Sequence, residues 1–119
     1  MMVIYEVNLA VDQAITRAFE KWLGTHIAEM VEIDGFFRAR WYNRRPQDES
    51  GAPEGGKTLW TVQYDVYTRA DLDRYFANDA ARMREDGVKR FGGGFSASRR
   101  ILYPRSLGGG ELELSDGAP

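Results

Sequence analysis

The sequence predicts a single α+β domain in which one four-stranded antiparallel sheet carries two helices on one face. Segments that alternate apolar and polar residues, as strands do, are interleaved with segments whose apolar residues recur every three to four positions, as in helices. The order of these segments along the chain is βαββαβ. The 119 residues are enough to bury one core without disulfides or metals.

The first strand and the first helix are predicted at the start of the chain. Strand-type alternation runs from Met2 to Leu9. Asp12 follows at a position where its carboxylate can cap a helix by accepting hydrogen bonds from free backbone N–H groups. Asp34-Gly35 ends the helical region. The helical stripe between these points consists of Ile15, Phe19, Trp22, Leu23, His26, Ile27 and Met30.

Two alternating segments follow and predict a long antiparallel hairpin. The second strand runs from Phe36 to Arg45, and the third runs from Lys57 to Tyr67. A polar loop rich in glycine, proline and acid, residues 46–56, joins them. In the second strand the alternation places Phe37, Ala39 and Trp41 on one side and Arg38, Arg40 and Arg44 on the other.

The second helix and the last strand complete the pattern. Thr68 precedes Asp71 at the spacing of a capping box. Gly87 either ends this helix or precedes a last turn. Gly92-Gly93-Gly94 then breaks the chain before a fourth strand, Phe95 to Tyr103. The second helical stripe consists of Leu72, Tyr75, Phe76, Ala80 and Met83.

Right-handed crossovers convert this order into a ferredoxin-like sandwich with strands two and four at the sheet edges. Two helices cover only one face, whereas the strands carry large side chains on both. An uncovered aromatic face predicts a homodimer in which two sheets pack face to face. The pairs of large neighbours behind this prediction are Phe36 and Phe37, Trp41 and Tyr42, and Leu59 and Trp60.

Composition excludes several kinds of chemistry. The chain has no cysteine and one histidine, so disulfides, thiol nucleophiles and multi-histidine metal sites within one chain are excluded, and no metal or cofactor is expected. The sequence contains no apolar run of membrane-spanning length, and we expect a soluble cytoplasmic protein. The net charge of −2 makes nucleic acid an unlikely partner. Arg90 to Phe95 superficially resembles an RNA-recognition motif but precedes the fourth strand instead of lying in the third.

His26 is the candidate catalytic residue. On an apolar helix face between Trp22 and Met30 it would be partly desolvated, which lowers its pKa and favours the neutral ring of a general base. Glu29, three residues on, is placed to hydrogen-bond the ring. The alternative, which we favour, is that His26 simply packs, with one ring nitrogen bonded to a strand carbonyl or to water.

Two basic segments, Phe36 to Arg45 and Val88 to Arg105, contain no acid. Arginines on edge strands either block edge-to-edge aggregation, which we favour, or clamp a carboxylate or phosphate. These arginines are Arg38, Arg40, Arg99 and Arg100. The aromatic residues are interpreted first as core and second as pocket wall. A pocket for a small organic or anionic ligand is predicted between helix one and the sheet. The residues predicted to contact that ligand are Trp22, Met30, Tyr64, Tyr75 and Arg99.

The order of several short motifs resembles a family of small domains of unknown function in the dimeric α/β-barrel superfamily, over about Met2 to Tyr103. The motifs are Trp22 before His26-Ile27, Gly35-Phe36, Gln63-Tyr64, Tyr75, and Arg90-Phe91-Gly92 before Arg99. The resemblance implies a dimeric barrel and assigns no activity, since the superfamily includes cofactor-independent monooxygenases, isomerases, stress-response barrels and haem-binding relatives. For an enzyme it implies oxygenation or isomerisation of an aromatic or polyketide-like compound with His26 as base. The competing hypothesis is a dimeric module that binds an anion or a protein without turnover.

The chain divides into a domain, residues 1–105, and a glycine-rich acidic tail, residues 106–119. Ser106 to Gly110 has the composition of a flexible linker. Glu111-Leu112-Glu113-Leu114 alternates like a short strand, and its acids complement the basic edges of the sheet. We expect either docking of this segment along such an edge or, with slightly more weight, a disordered and solubilising end.

Overall fold

The sheet has the predicted topology. In a computed structural model that describes residues 1–51 and 55–106, the strands are β1 (Val3–Asp12), β2 (Phe36–Arg44), β3 (Lys57–Val66) and β4 (Phe95–Leu102). They pair in the order β2-β3-β1-β4, and every neighbouring pair is antiparallel. Strands β2 and β4 are therefore the edges, and the ferredoxin-like fold is confirmed.

Three helices, rather than two, cover one face of this sheet. They are α1 (Thr16–Met30), α2 (Arg69–Asn78) and α3 (Ala80–Phe91). The prediction of one continuous second helix was wrong, because the backbone leaves helical geometry at Asp79, where φ is −126° and ψ is −28°. Asn78 and Asp79 both have side chains that compete for backbone hydrogen bonds and favour helix ends over helix interiors. After the break, α3 packs against α1.

The two predicted caps have opposite outcomes. Thr68 caps α2, since its hydroxyl accepts a hydrogen bond from the Asp71 N–H at 3.0 Å. The prediction that Asp12 caps α1 was wrong. Asp12 ends β1, makes no capping bond and forms an ion pair with Lys57, its partner on β3. A short 3₁₀ turn of three residues then leads into α1.

A bulge in β2 changes which aromatic residues face the helices. The register between β2 and β3 shifts between Phe36 and Arg38. Phe36 is therefore buried, whereas Phe37 lies at the surface and stacks on Tyr67 with ring centroids 4.2 Å apart. The prediction that Phe37 shares a side with Ala39 was wrong, because simple alternation does not anticipate the extra residue of a bulge.

The two faces of the sheet differ in chemistry. On the helix-covered face Tyr5 of β1 lies opposite Tyr64 of β3 and Ile101 of β4. On the open face Glu6 lies opposite Gln63 and Arg100. Large side chains lie on both faces, as predicted, and the open face carries Tyr42 and Leu59 from the predicted pairs rather than the tryptophans. Trp41 and Trp60 both lie on the helix-covered face, with ring centroids 5.4 Å apart.

No helix in the described part of the chain is long and apolar enough to cross a membrane.

The predicted tail, apart from Ser106, lies outside the described residues, so the predicted linker and the predicted docking along a sheet edge stay predictions. The three glycines before β4 form the expected connection, Gly92–Gly94, between α3 and the last strand.

Candidate functional site

A cavity of about 300 Å³ lies between the helices and the covered face of the sheet. Its walls are mostly aromatic and aliphatic, and they come from α1, α2, α3 and all strands except β2. All six side chains singled out in the sequence border it: Trp22, His26, Met30, Tyr64, Tyr75 and Arg99. The structure thus brings them together around one space, while their catalytic and binding roles stay predictions.

Helix α1 supplies three of these side chains by simple periodicity. Trp22, His26 and Met30 follow one another at intervals of four residues, so they share one helix face. Met30 is fully buried, whereas Trp22 and His26 are partly buried. The rings of Trp22 and His26 stack with centroids 4.6 Å apart and an interplanar angle of 21°. One face of the imidazole is therefore covered by indole.

The imidazole of His26 is poised to be neutral. Burial lowers its pKa below the ordinary value, and the nearby Arg99 guanidinium acts in the same direction, while Glu29 and Asp86 oppose it. The predicted hydrogen bond from Glu29 is not formed. In residues 1–51 and 55–106 no hydrogen bond reaches the ring, so both ring nitrogens remain for a ligand or water.

The neighbouring residues Arg99 and Arg100 point to opposite faces of β4. Arg99 borders the cavity, and within the described ranges it has no hydrogen bond and no ion pair. Arg100 lies on the open face, where its Nε donates to Glu6 at 2.5 Å. Only Arg99 of these two is available to bind an anionic group in the cavity.

The other edge arginines also have partners on the open face. Arg38 and Arg40 of β2 both donate to Asp65 of β3, at 2.6 Å from Arg38 Nε and at 2.8 and 2.9 Å from Arg40. Burial by itself would raise the pKa of Asp65, but the bonds from Arg40 and Arg38 outweigh it and hold that pKa below its usual value. The side chains of Arg38 and Arg40 are therefore committed to an internal carboxylate, which argues against their predicted alternative role as an anion clamp.

The tyrosines of the cavity are neutral hydrogen-bonding groups. Burial raises the pKa of Tyr64 and of Tyr75, so both remain phenols at neutral pH. The hydroxyl of Tyr5 accepts a hydrogen bond from Arg84 Nη2 at 3.1 Å. Among residues 1–51 and 55–106, no aspartate or glutamate borders the cavity. In the parts of the chain that the structure describes, no three side chains of histidine, cysteine, aspartate or glutamate come together as a metal site.

Sequence reasoning missed three residues of α3: Arg84, which borders the cavity, and Asp86 and Gly87, which contact Trp22. Asp86 accepts a hydrogen bond from the indole Nε1 of Trp22 at 2.7 Å. Gly87 is buried, and a Cβ there would lie 2.8 Å from the Trp22 ring. A signal was present, since a glycine within a helix is unfavourable by about 1 kcal/mol relative to alanine and therefore suggests close packing. Of the two alternatives predicted for Gly87, the structure has the second, since α3 continues past it to Phe91.

The sheet topology and the helices on one face define a ferredoxin-like α+β domain. A family model described as a domain of unknown function, DUF4286, matches residues 2–104. The chain belongs to this family, which confirms the resemblance found in the sequence. No curated protein matches the chain.

Solved structures with this fold are distant in sequence. SnoaB, a cofactor-independent oxygenase from Streptomyces nogalater, is 12% identical with a TM-score of 0.60, over 89% of this chain and 96% of SnoaB. An ethyl tert-butyl ether D family protein from Bacillus halodurans is 20% identical with a TM-score of 0.59, over 88% of this chain and 100% of that one. The de novo designed protein Foldit4 is 13% identical with a TM-score of 0.57, over 88% of this chain and 100% of Foldit4. Since a designed protein matches as well as an oxygenase, the likeness shows the fold alone.

Proposed function

We propose that the cavity binds a small ring-containing compound with one negatively charged oxygen group, and that the protein works as a homodimer. The observation that carries the ligand proposal is the charge pattern of the cavity wall. Aromatic and aliphatic side chains surround the space, no carboxylate borders it, and Arg99 reaches it without an ion-pair partner among the described residues. A guanidinium binds a carboxylate through two parallel hydrogen bonds, while the apolar walls favour a ring.

Calorimetric titration with naphthoate and with naphthamide tests this proposal, because the two probes share a ring system and differ in charge. We expect naphthoate to bind about tenfold more tightly than naphthamide to the wild-type protein, a difference of ~1.4 kcal/mol. Arg99→Gln should remove this preference. Arg17→Gln is the matched control, since Arg17 is an exposed arginine of α1 outside the cavity wall.

Equal affinity of the two probes, or a preference that survives in Arg99→Gln, would contradict the anionic ligand. Failure of both probes to bind at millimolar concentration would contradict the small-molecule site as a whole.

A second candidate function is general-base catalysis by His26, and a specific observation favours it. A neutral imidazole and a free guanidinium border the same cavity. His26 would take a proton from a carbon next to a carbonyl group, and Arg99 would stabilise the oxygen anion that results. Return of the proton to another carbon gives an isomer. Where the deprotonated carbon carries a second hydrogen, the anion instead adds dioxygen to give a hydroperoxide, which loses water to leave a new carbonyl group. One oxygen atom is retained and the other leaves as water, a chemistry in line with the cofactor-independent oxygenase SnoaB.

Exchange of solvent deuterium into β-tetralone, a bicyclic ketone with acidic C–H bonds, measures the first step alone. We expect the protein to accelerate exchange, with a rate that rises with pH through the pKa of His26 and then levels off. His26→Gln should abolish the acceleration, and Glu29→Gln, which leaves the base in place, should retain it. Exchange that is unaffected by His26→Gln would rule out His26 as the base and favour a binding module without turnover.

The homodimer proposal rests on the open face of the sheet. In the described chain no layer covers this face, and the dimeric α/β-barrel kind of fold pairs two such sheets. The arginines there are exposed enough to reach a second copy, since the side chain of Arg38 is 58% exposed and that of Arg100 66%. A stable interface buries about 1,200–2,000 Å² in total, an area that one sheet face can supply.

Sedimentation at micromolar concentration tests the homodimer. Ser98→Arg adds a bulky charge to the open face, halfway along β4 and beside Asn8 of β1, and should shift the protein to a monomer. Thr25→Arg adds the same charge on the exposed side of α1 and should leave the dimer intact. A monomeric wild-type protein would contradict the proposal. The cytoplasm stays the proposed compartment, because a chain without cysteine needs no oxidising environment to fold.

A further inference from the structure

We propose that Asp86 is a positioning residue that holds the indole of Trp22 over the imidazole of His26 and so fixes the wall against which a ligand packs. Its consequence for ligand binding rests on the proposed function of the cavity. The arrangement of the three side chains does not depend on that function and is tested separately.

The first observation is the connection between α1 and α3. The indole Nε1 of Trp22 donates to Oδ2 of Asp86 at 2.7 Å, across 64 positions of sequence. The indole ring stacks on His26, and two phenylalanine rings pack against it edgewise, Phe19 at 5.3 Å and Phe91 at 5.8 Å. The hydrogen bond adds a directional contact at the polar edge of the indole, whose faces and apolar edges are held by ring packing.

The second observation is the space next to Asp86. A Cβ at Gly87 would lie 2.8 Å from Cη2 of Trp22 and 3.2 Å from its Cζ2. Both distances are shorter than ordinary carbon contacts, so any larger residue would displace the indole. Asp86 and Gly87 thus act on the same ring, the first by a hydrogen bond and the second by leaving room for it.

The third observation is the charge around His26. Glu29 of α1, Asp86 of α3 and Arg99 of β4 face the imidazole. The hydrogen bond from Trp22, together with Arg90, holds the pKa of Asp86 below its usual value and keeps the carboxylate charged. Burial lowers the pKa of His26, and the negative charge of Asp86 offsets part of that effect. Removal of this charge alone is therefore expected to lower the pKa of His26 further.

NMR titration of the His26 ring protons in two variants separates the hydrogen bond from the charge. Asp86→Asn keeps an acceptor oxygen, so the upfield shift that the stacked indole imposes on the ring protons should remain while the pKa of His26 falls. Asp86→Leu removes the acceptor as well, so that upfield shift should also be lost. Glu85→Gln is the matched control, since Glu85 is an exposed acid on the same helix that pairs with Lys89.

Gly87→Ala is a second route to the same structural effect, because it displaces the indole while Asp86 stays in place. It should change the ring-proton shifts of His26 as Asp86→Leu does. Naphthoate affinity should fall about tenfold in both variants.

Ring-proton shifts and a pKa that stay at wild-type values in Asp86→Leu and in Gly87→Ala would overturn the positioning role. A pKa change in Glu85→Gln as large as in Asp86→Asn would also overturn it, since the effect would then be one of general surface charge. If naphthoate does not bind the wild-type protein, the proposed function fails, and the NMR result still decides the positioning role.

Discussion

The two faces of the sheet use the same strands in opposite ways. On the covered face, apolar side chains pack against three helices and leave a cavity bordered by two cations without an ion-pair partner in the described chain, Arg84, which donates to the Tyr5 hydroxyl, and Arg99, which has no hydrogen bond there. On the open face, two carboxylates are nearly inaccessible although no helix lies over them, Asp65 at 0% exposure and Glu6 at 2%. Arginine side chains laid across the strands bury them.

This difference shows that the burial of a charged side chain and its availability to bind a ligand are separate properties. Arg100 is next to Arg99 in sequence but is bound to Glu6, which also accepts from Asn8 and Gln63, each at 2.9 Å. A network in which every group has a partner stabilises the sheet and leaves nothing for a ligand. A cation without a partner contributes less to stability and is available for binding.

The largest expected effect is on the covered face. Phe19 is fully buried, and four aromatic rings surround it, those of Trp22, Trp60, Phe91 and Phe95. Phe19→Ala should lower the free energy of unfolding by about 3–5 kcal/mol through the lost contacts and the cavity left behind. Tyr42→Ala on the open face, where the ring is 43% exposed, should cost less than ~1 kcal/mol. Urea denaturation measures both, and equal losses would contradict the contrast between the faces.

The next effect belongs to the carboxylates of the open face. Asp65→Asn should cost about 1–3 kcal/mol at neutral pH, because two arginines lose a charged partner. The pKa of Asp65 is lowered in the folded state, so its contribution is present above the unfolded pKa of about 3.9 and is lost as pH falls through the folded value. The wild-type protein should therefore lose stability in acid more steeply than the variant.

Asp73→Asn is the control for this pH series. Asp73 forms an exposed ion pair with Arg69 at 2.8 Å, and its loss should change stability by no more than ~0.5 kcal/mol. Parallel pH curves for the wild-type protein and Asp65→Asn would show that the open-face network does not depend on this charge.

A smaller effect compares the two adjacent arginines directly. Arg100→Gln should lower the free energy of unfolding measurably and leave naphthoate affinity unchanged, since its partner is Glu6. Arg99→Gln should lower affinity about tenfold and change stability little. Thermal denaturation measures the stability of both variants, and calorimetry measures their affinity for naphthoate. If both variants lost stability and naphthoate affinity to the same extent, the distinction between the paired Arg100 and the unpaired Arg99 would be contradicted.

The smallest effect is the pH dependence that His26 contributes. Its folded pKa lies below that of the unfolded chain, about 6.5, because burial disfavours the charged ring. The unfolded state therefore binds more protons in that window, and stability should rise as pH increases through it. His26→Gln should flatten this part of the stability curve, as measured by urea denaturation between pH 5 and 8. A curve with the same slope in the variant would place the titration elsewhere.

Much of the fold could be predicted from local patterns. The βαββαβ order follows from two periodicities that each segment carries by itself, and the edge positions of β2 and β4 follow from the handedness of the crossovers. The shared face of Trp22, His26 and Met30 follows from helical geometry, and the cap at Thr68 follows from its spacing to Asp71. All of these depend on residues within a few positions of one another.

Local sequence patterns are sufficient for the four strands, the βαββαβ order and the side chains of α1 that reach the cavity, but they do not show the break between α2 and α3. The tertiary structure decided the bulge at Phe37, the pairing of Asp12 with Lys57, and the contact of Trp22 with Asp86. It also decided which arginine is free, because Arg100 meets Glu6 only when β4 lies beside β1. These features depend on contacts between residues distant in the chain, and local periodicity contains no information about such partners.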